Sequence, residues 1–318
     1  MLWNLFYILV FPGLLFCVIA GLLLAGIDRK VVARMQRRIG PPIAQPLYDF
    51  LKLLGKETII PRTASRTMFL GAPLIGFVSL IVTALFIPIF GFTAFGGVAD
   101  LVVIIYLLTI PAVSIIMGGA ASGSPYAGVG LSREMVAIMS YELPLVLVIL
   151  AISRKAGGVF GIGGLTFSMT QIAEYQAQFG PMITKWSMIP AAVAMLLVIP
   201  CEVGNHPFDI AEAETEICEG TLVEYSGPPL AVYKLSHAIK MFIMSALFSA
   251  LFLGGAGTGM LAVDALIFLL ECVAVTIISM SLPHAVTARL KVEQVFKFFW
   301  TFVAGLAALS VVLVWFGL

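Results

Sequence analysis

Eight stretches of the chain run apolar for about 20 residues, the length a helix needs to cross the hydrocarbon core of a bilayer. They are Leu2–Gly26, Met68–Phe90, Leu101–Gly119, Glu134–Ser153, Trp186–Gly204, Leu235–Gly254, Met260–Leu282 and Val295–Phe316. None shows the period-two alternation of a barrel strand. Backbone facing lipid must satisfy its own hydrogen bonds, so each run predicts a helix. The fold class is therefore all-α: a polytopic transmembrane bundle of about eight spans, with residues 1–318 as a single membrane domain. Composition agrees. The chain is 61% hydrophobic and 11% charged, against about 25% charged for a soluble domain. The start, Met1-Leu2-Trp3, lacks a basic leader region, so it reads as the first span and not as a signal peptide.

The polar segments set the orientation. Fourteen Lys and Arg fall on one side by alternation and three on the other. Positive residues stay inside, which predicts a plasma-membrane protein with the basic side cytoplasmic and both termini outside. Two cytoplasmic segments stand out, 27–67 and 205–234. In the first, Leu47, Phe50, Leu51 and Leu54 share one helical face, with Asp49, Lys52 and Lys56 opposite. This short amphipathic helix is expected at the membrane surface, where it either rests on lipid or forms a ledge for a soluble partner. The second holds Asp209, Glu212, Glu214, Glu216, Glu219 and Glu224, with Lys234 as its one cation. Apolar residues are interleaved among these acids, which suits a structured, partly buried loop.

Charges also fall within the spans, where each costs ~2.5–3.5 kcal/mol or more. Glu134 and Glu142 lie on the fourth span, with Pro144 expected to kink it. Glu202 ends the fifth. His237 and Lys240 lie on the sixth, and Asp264 and Glu271 share a face of the seventh. Carboxylates balanced between burial and a nearby cation can exchange protons. A proton path running from the acidic loop through Glu202 and Glu142 toward Lys240, Asp264 and Glu271 is the favoured expectation over paired structural charges. Cys17, Cys201, Cys218 and Cys272 have no metal-ligand spacing, so no cofactor or metal is expected in this chain. The glycine-rich run 118–130 predicts a tight helix-to-helix turn rather than a nucleotide site. A net charge of +1 names no nucleic-acid partner.

Three motifs carry a family resemblance. Arg34-Met-Gln-Arg-Arg-Ile-Gly-Pro-Pro followed by Gln45-Pro-Leu-Tyr-Asp-Phe-Leu-Lys-Leu-Leu-Gly-Lys-Glu57 is similar to the first cytoplasmic segment of the respiratory complex I subunit 1 family. Ser140-Tyr-Glu-Leu-Pro144 resembles that family's fourth-helix motif, and the run from Asn205 to Pro228 resembles its acidic loop. The resemblance implies a subunit that docks a peripheral redox arm and links electron transfer to ion movement through buried carboxylates. It implies Arg34, Arg37, Arg38, Gln45, Asp49, Lys52, Lys56 and Glu57 as docking residues. Where quinone-binding members often carry an acid, this chain has Ser236, within Tyr233-Lys-Leu-Ser-His-Ala-Ile-Lys240. That departure resembles the membrane subunits of archaeal membrane-bound NiFe hydrogenase and sulfur-reducing complexes. The implied partners are an iron–sulfur small subunit with 4Fe-4S clusters, a hydrogenase-like large subunit possessing a NiFe site in the hydrogenase case, and antiporter-like and small membrane subunits alongside. The alternative is a quinone-site subunit of a complex I-like oxidoreductase.

Overall fold

The computed structural model describes residues 2–90, 100–160, 164–254 and 260–317. Eight helices are long and apolar enough to cross a membrane: Phe6–Met35, Arg66–Phe86, Leu101–Ser122, Pro125–Val159, Trp186–Val203, Gly227–Leu253, Ala262–Val286 and Val292–Trp315. No β-strand occurs among the described residues. The sixth span is the central post, buried over 89% of its apolar window, whereas the eighth is 33% buried and turns most of its surface outward. The core is accordingly built around Met241–Phe252 of the sixth span, where Phe242 and Phe252 are wholly buried.

Several boundaries differ from the sequence expectation, each for a local reason. The first span continues past Gly26 to Met35, because Asp28 finds a partner inside the bundle and need not end the helix. The glycine-rich run is mostly helical: the third span continues to Ser122 and the fourth starts at Pro125. Only Gly123, at φ +70°, makes the left-handed turn that a glycine takes without strain. Pro125 then opens the next helix, where a missing N–H costs nothing. This 36-residue helix is ~54 Å long, well beyond a ~30 Å hydrocarbon core, so its first turns stand out at the basic end. It runs through Pro144 without interruption. The acidic loop closes earlier than expected, since the sixth helix begins at Gly227. Gly227 has φ +62° and lies against the Glu57 carbonyl, and two prolines follow it into the first turn. Lys234 is therefore a helix residue, not a loop residue.

The amphipathic helix Gln45–Leu54 forms as expected, but its seat is divided. Pro46 is buried and Phe50 and Leu53 are half-buried against the bundle, while Leu47, Tyr48, Leu51 and Leu54 stay exposed. Sequence periodicity cannot assign these two apolar strips to protein and to surroundings. A further helix, Met169–Phe179, lies at the end away from the basic residues. Its buried Gln176 donates to the Leu251 carbonyl at 2.6 Å, satisfying an acceptor near the end of the sixth span. The last three spans each contain one π-helical turn, at Ser249–Leu253, Ile277–Ser281 and Phe299–Val303. Such turns cluster at functional positions in helices generally.

The positive-inside rule gives a direct test of sidedness. In intact cells, Lys185→Cys is expected to react with a membrane-impermeant maleimide, and Lys52→Cys only after permeabilisation. The opposite labelling pattern would reverse the orientation.

Candidate functional site

A cavity of about 360 Å³ opens at the basic end. Its walls come from the first and third to seventh spans, the amphipathic helix and the loop after the fifth span. Helix ends and a folded loop converge there, which is why residues far apart in sequence meet. Leu22, Ala25, Phe50, Leu53, Ile115 and Leu222 supply apolar wall. Glu134, Glu202, Asp209, Glu212, Lys234, His237 and Lys240 supply polar wall, together with Asp49.

At its floor Lys240 Nζ meets Glu202 Oε1 at 2.9 Å, with side chains 8% and 1% exposed. Tyr141, wholly buried on the fourth span, is the other side chain within hydrogen-bonding reach of Glu202. Glu134 lies within electrostatic reach of both partners, and Glu142 within reach of Glu202. Two carboxylates and one cation thus share a buried space, which lets a single proton be placed in more than one way.

The roof is differently built. Arg289 grips Asp209 with two nitrogens, Nε donating to Oδ1 at 2.9 Å, and its third reaches Thr215 Oγ1 at 3.1 Å. Arg133, from the protruding start of the fourth span, pairs with Glu216. These two forks fasten the loop to the bundle. Glu212 points into the cavity between them. Burial, reinforced by the negative charges of Glu134, Glu219 and Asp209 and opposed by Lys234, pushes its carboxyl from 4.5 up to about 7. His206 stacks on His284 with ring centroids 5.0 Å apart. Burial holds the His206 imidazole below its ordinary value, with His284 and Arg289 adding to the effect and Asp209 opposing it. Burial alone would raise Asp49, but hydrogen bonds from Gln45 and Arg29, each 2.9 Å, hold it below the usual carboxylate range.

Other expected residues fall elsewhere. Glu216, Glu219 and Glu224 do not line the cavity, and the Glu214 side chain lies outside the described residues. Asp264 and Glu271 belong to the far half of the seventh span. Arg34, Arg37, Arg38, Lys52, Lys56 and Glu57 are exposed around the basic end, and Gln45 is half-buried beside Asp49. Asp28 was not anticipated. It is 8% exposed, lines the cavity and accepts from Ser281 Oγ at 2.6 Å. Its only sequence signal was a carboxylate directly after an apolar run, which equally marks a span boundary. Among the described residues, no group of three or more His, Cys, Asp or Glu is placed to hold a metal ion.

Comparison with known proteins places this eight-span bundle and its charged cavity among the membrane subunits of complex I-like or hydrogenase-like respiratory complexes. The family model described as NADH dehydrogenase matches residues 7–315, and the chain belongs to that family. It is 35% identical over 313 residues to a subunit of the NADH-quinone oxidoreductase of Thermomicrobium roseum, covering 89% of this chain and 87% of that one. It is 36% identical over 232 residues to hydrogenase-4 component C of Escherichia coli, covering 73% and 70%. Among solved structures it resembles a chain of an archaeal membrane-bound sulfane sulfur reductase, with a TM-score of 0.88, 30% identity and 98% of both chains covered.

Two outcomes follow from the charges. Leaving one half of a buried ion pair alone costs ~3–5 kcal/mol. Glu202→Gln and Lys240→Met are each expected to lower the thermal unfolding midpoint of the purified protein, and the double variant to recover most of the loss. For Glu212, the folded state binds more protons than the unfolded chain between pH 4.5 and about 7, so its contribution to stability declines as pH rises through that window. An infrared carboxylic C=O band titrating near pH 7 and missing in Glu212→Gln is the direct measurement.

Proposed function

We propose that this chain is the energy-coupling membrane subunit of a ferredoxin-linked respiratory complex of the membrane-bound hydrogenase or sulfane sulfur reductase type. It docks a peripheral redox arm and passes redox-driven changes to protons held on buried carboxylates. The observation that carries this reading is the position of the Lys240–Glu202 pair behind the two expected docking segments. The same pieces, Asp49 and Phe50 of the amphipathic helix and Glu212 of the loop, form the cavity wall and belong to the segments a cytoplasmic partner would cover. A partner that shifts those segments alters the field around Glu134, Glu142 and Glu202.

In this reading the iron–sulfur small subunit and the hydrogenase-like large subunit sit on 27–67 and 205–226, and supply the 4Fe-4S clusters and any NiFe site. Antiporter-like subunits lie alongside in the plasma membrane. The extensive likeness to a sulfane sulfur reductase chain supports this type, as does Ser236 with His237 and Lys240 where quinone-binding relatives often place an acid.

Glu142→Gln is expected to abolish redox-driven ion pumping in vesicles holding the whole complex, with assembly intact. Normal pumping in that variant would remove the proton-path claim. The apolar cavity wall favours a second reading, a quinone-site subunit of a complex I-like oxidoreductase. A photoreactive quinone analogue decides between them: labelling of Phe50 or Leu222, with loss of turnover, selects the quinone type, while unlabelled, fully active complex selects the ferredoxin type.

A further inference from the structure

The seventh span carries a row of buried hydroxyl contacts that the cavity does not require, made to the first span at one end and to the sixth span further along. At the basic end Ser281 Oγ donates to Asp28 Oδ1 at 2.6 Å, and Asp28 faces the cavity. Midway, Ser245 Oγ and Thr276 Oγ1 meet across the helices at 3.0 Å. Further out, Ser249 Oγ donates to Glu271. Ser245, Ser249, Thr276 and Ser281 are each 0% exposed. Ser279, 2% exposed, has a hydroxyl with no partner among protein groups. Packing two apolar helices needs none of these oxygens, and buried polar groups are costly where a methyl would serve.

The middle contact carries the mechanism. Ser245 also donates within its own helix to the Met241 carbonyl at 3.0 Å, and Thr276 to the Cys272 carbonyl at 2.8 Å. Each hydroxyl has one hydrogen. A hydrogen bond between them therefore forms only when one of the two releases its backbone acceptor. Two arrangements of opposite polarity are thus available at one contact, which is what a relay must alternate between. The π-helical turns Ser249–Leu253 and Ile277–Ser281 lie at the two ends of the row, where the regular carbonyl ladder is broken.

We propose that this seam is a proton relay joining Asp28 at the cavity to Glu271, and so a route toward the opposite face within this one chain. Protonated Asp28 gives its proton to the Ser281 oxygen as Ser281 releases its own hydrogen onward. The same exchange repeats at Thr276, Ser245 and Ser249, and the last hydrogen lands on the Glu271 carboxylate. Every Ser and Thr ends neutral and no electron moves. The intervals from Ser281 to Thr276 and from Ser245 to Ser249 are ~7.5 Å and ~6 Å along the helix, too long for one hydroxyl to reach the next, so each takes bridging water. Asp264, seven residues before Glu271 on the same face, continues the line outward.

The relay rests on the proposed proton-carrying role of the cavity, and its test separates the two. The whole complex is reconstituted in proteoliposomes, and protons moved per electron are measured with an internal pH dye. Thr276→Val, which deletes the hydroxyl at constant shape, is expected to lower the ratio about twofold, as is Glu271→Gln, with the double variant no lower than either. Thr276→Ser, which keeps the oxygen, is expected to retain the full ratio. Should Thr276→Val not assemble, Ser249→Ala carries the same expectation. A full ratio in the assembled hydroxyl deletions overturns the relay, and does so without touching the cavity reading if Glu142→Gln still abolishes pumping. A loss shared equally by Thr276→Ser also overturns it, since the cause would then be packing.

Discussion

The Lys240–Glu202 pair is the constraint to which the rest of the chain answers. Two opposite charges at bilayer depth are tolerable only together, and only if protein rather than lipid surrounds them. That requirement places Lys240 on the sixth span, the helix most completely enclosed by the others. It also requires a cover at the basic end. The amphipathic helix and the acidic loop provide it, and both are fixed by specific contacts. Ser226 accepts from the Ile59 backbone N–H, and Gly227 approaches the Glu57 carbonyl, so the two segments brace one another.

The acids of the loop divide by partner. Asp209 and Glu216 each hold an arginine. Glu212 has no such clamp and is shifted toward pH 7 by its burial. The forks act as fasteners, and their half-exposed setting makes each worth little in stability, about 0–1 kcal/mol. Their value lies in position. They hold the loop that carries Glu212 over the cavity.

Much of the fold was legible in the sequence because lipid leaves few choices: eight apolar runs give eight helices. The amphipathic helix was equally plain from Leu47, Phe50, Leu51 and Leu54. Its two apolar strips were not separable, since Phe50 seats on the bundle through contacts with distant helices. The buried charges could be named but not paired. Nothing local in Glu202 or Lys240 points to the other, 38 positions away. Asp28 was overlooked because the same residue after an apolar run marks a span end in most chains. The run 118–130 reads as a tight turn with close helix packing, and the structure narrows the turn itself to Gly123 while Gly118, Gly119 and Gly130 lie in the packed helices.

The charged floor and the hydroxyl seam differ in what they ask of the protein. Moving a proton onto Glu202 neutralises the anion and leaves Lys240 with Glu134, beyond ion-pair distance, as its counter-charge, so a step through the pair is tied to a change in its surroundings. A step along Ser281, Thr276, Ser245 and Ser249 leaves no residual charge on any hydroxyl and needs donors that reverse and water across the two longer intervals. The first suits a gate that responds to a docked partner, and the second suits a passive conductor behind it. A gate at the cavity with a neutral wire beyond keeps the costly charged state confined to the one place where loop, amphipathic helix and bundle all converge.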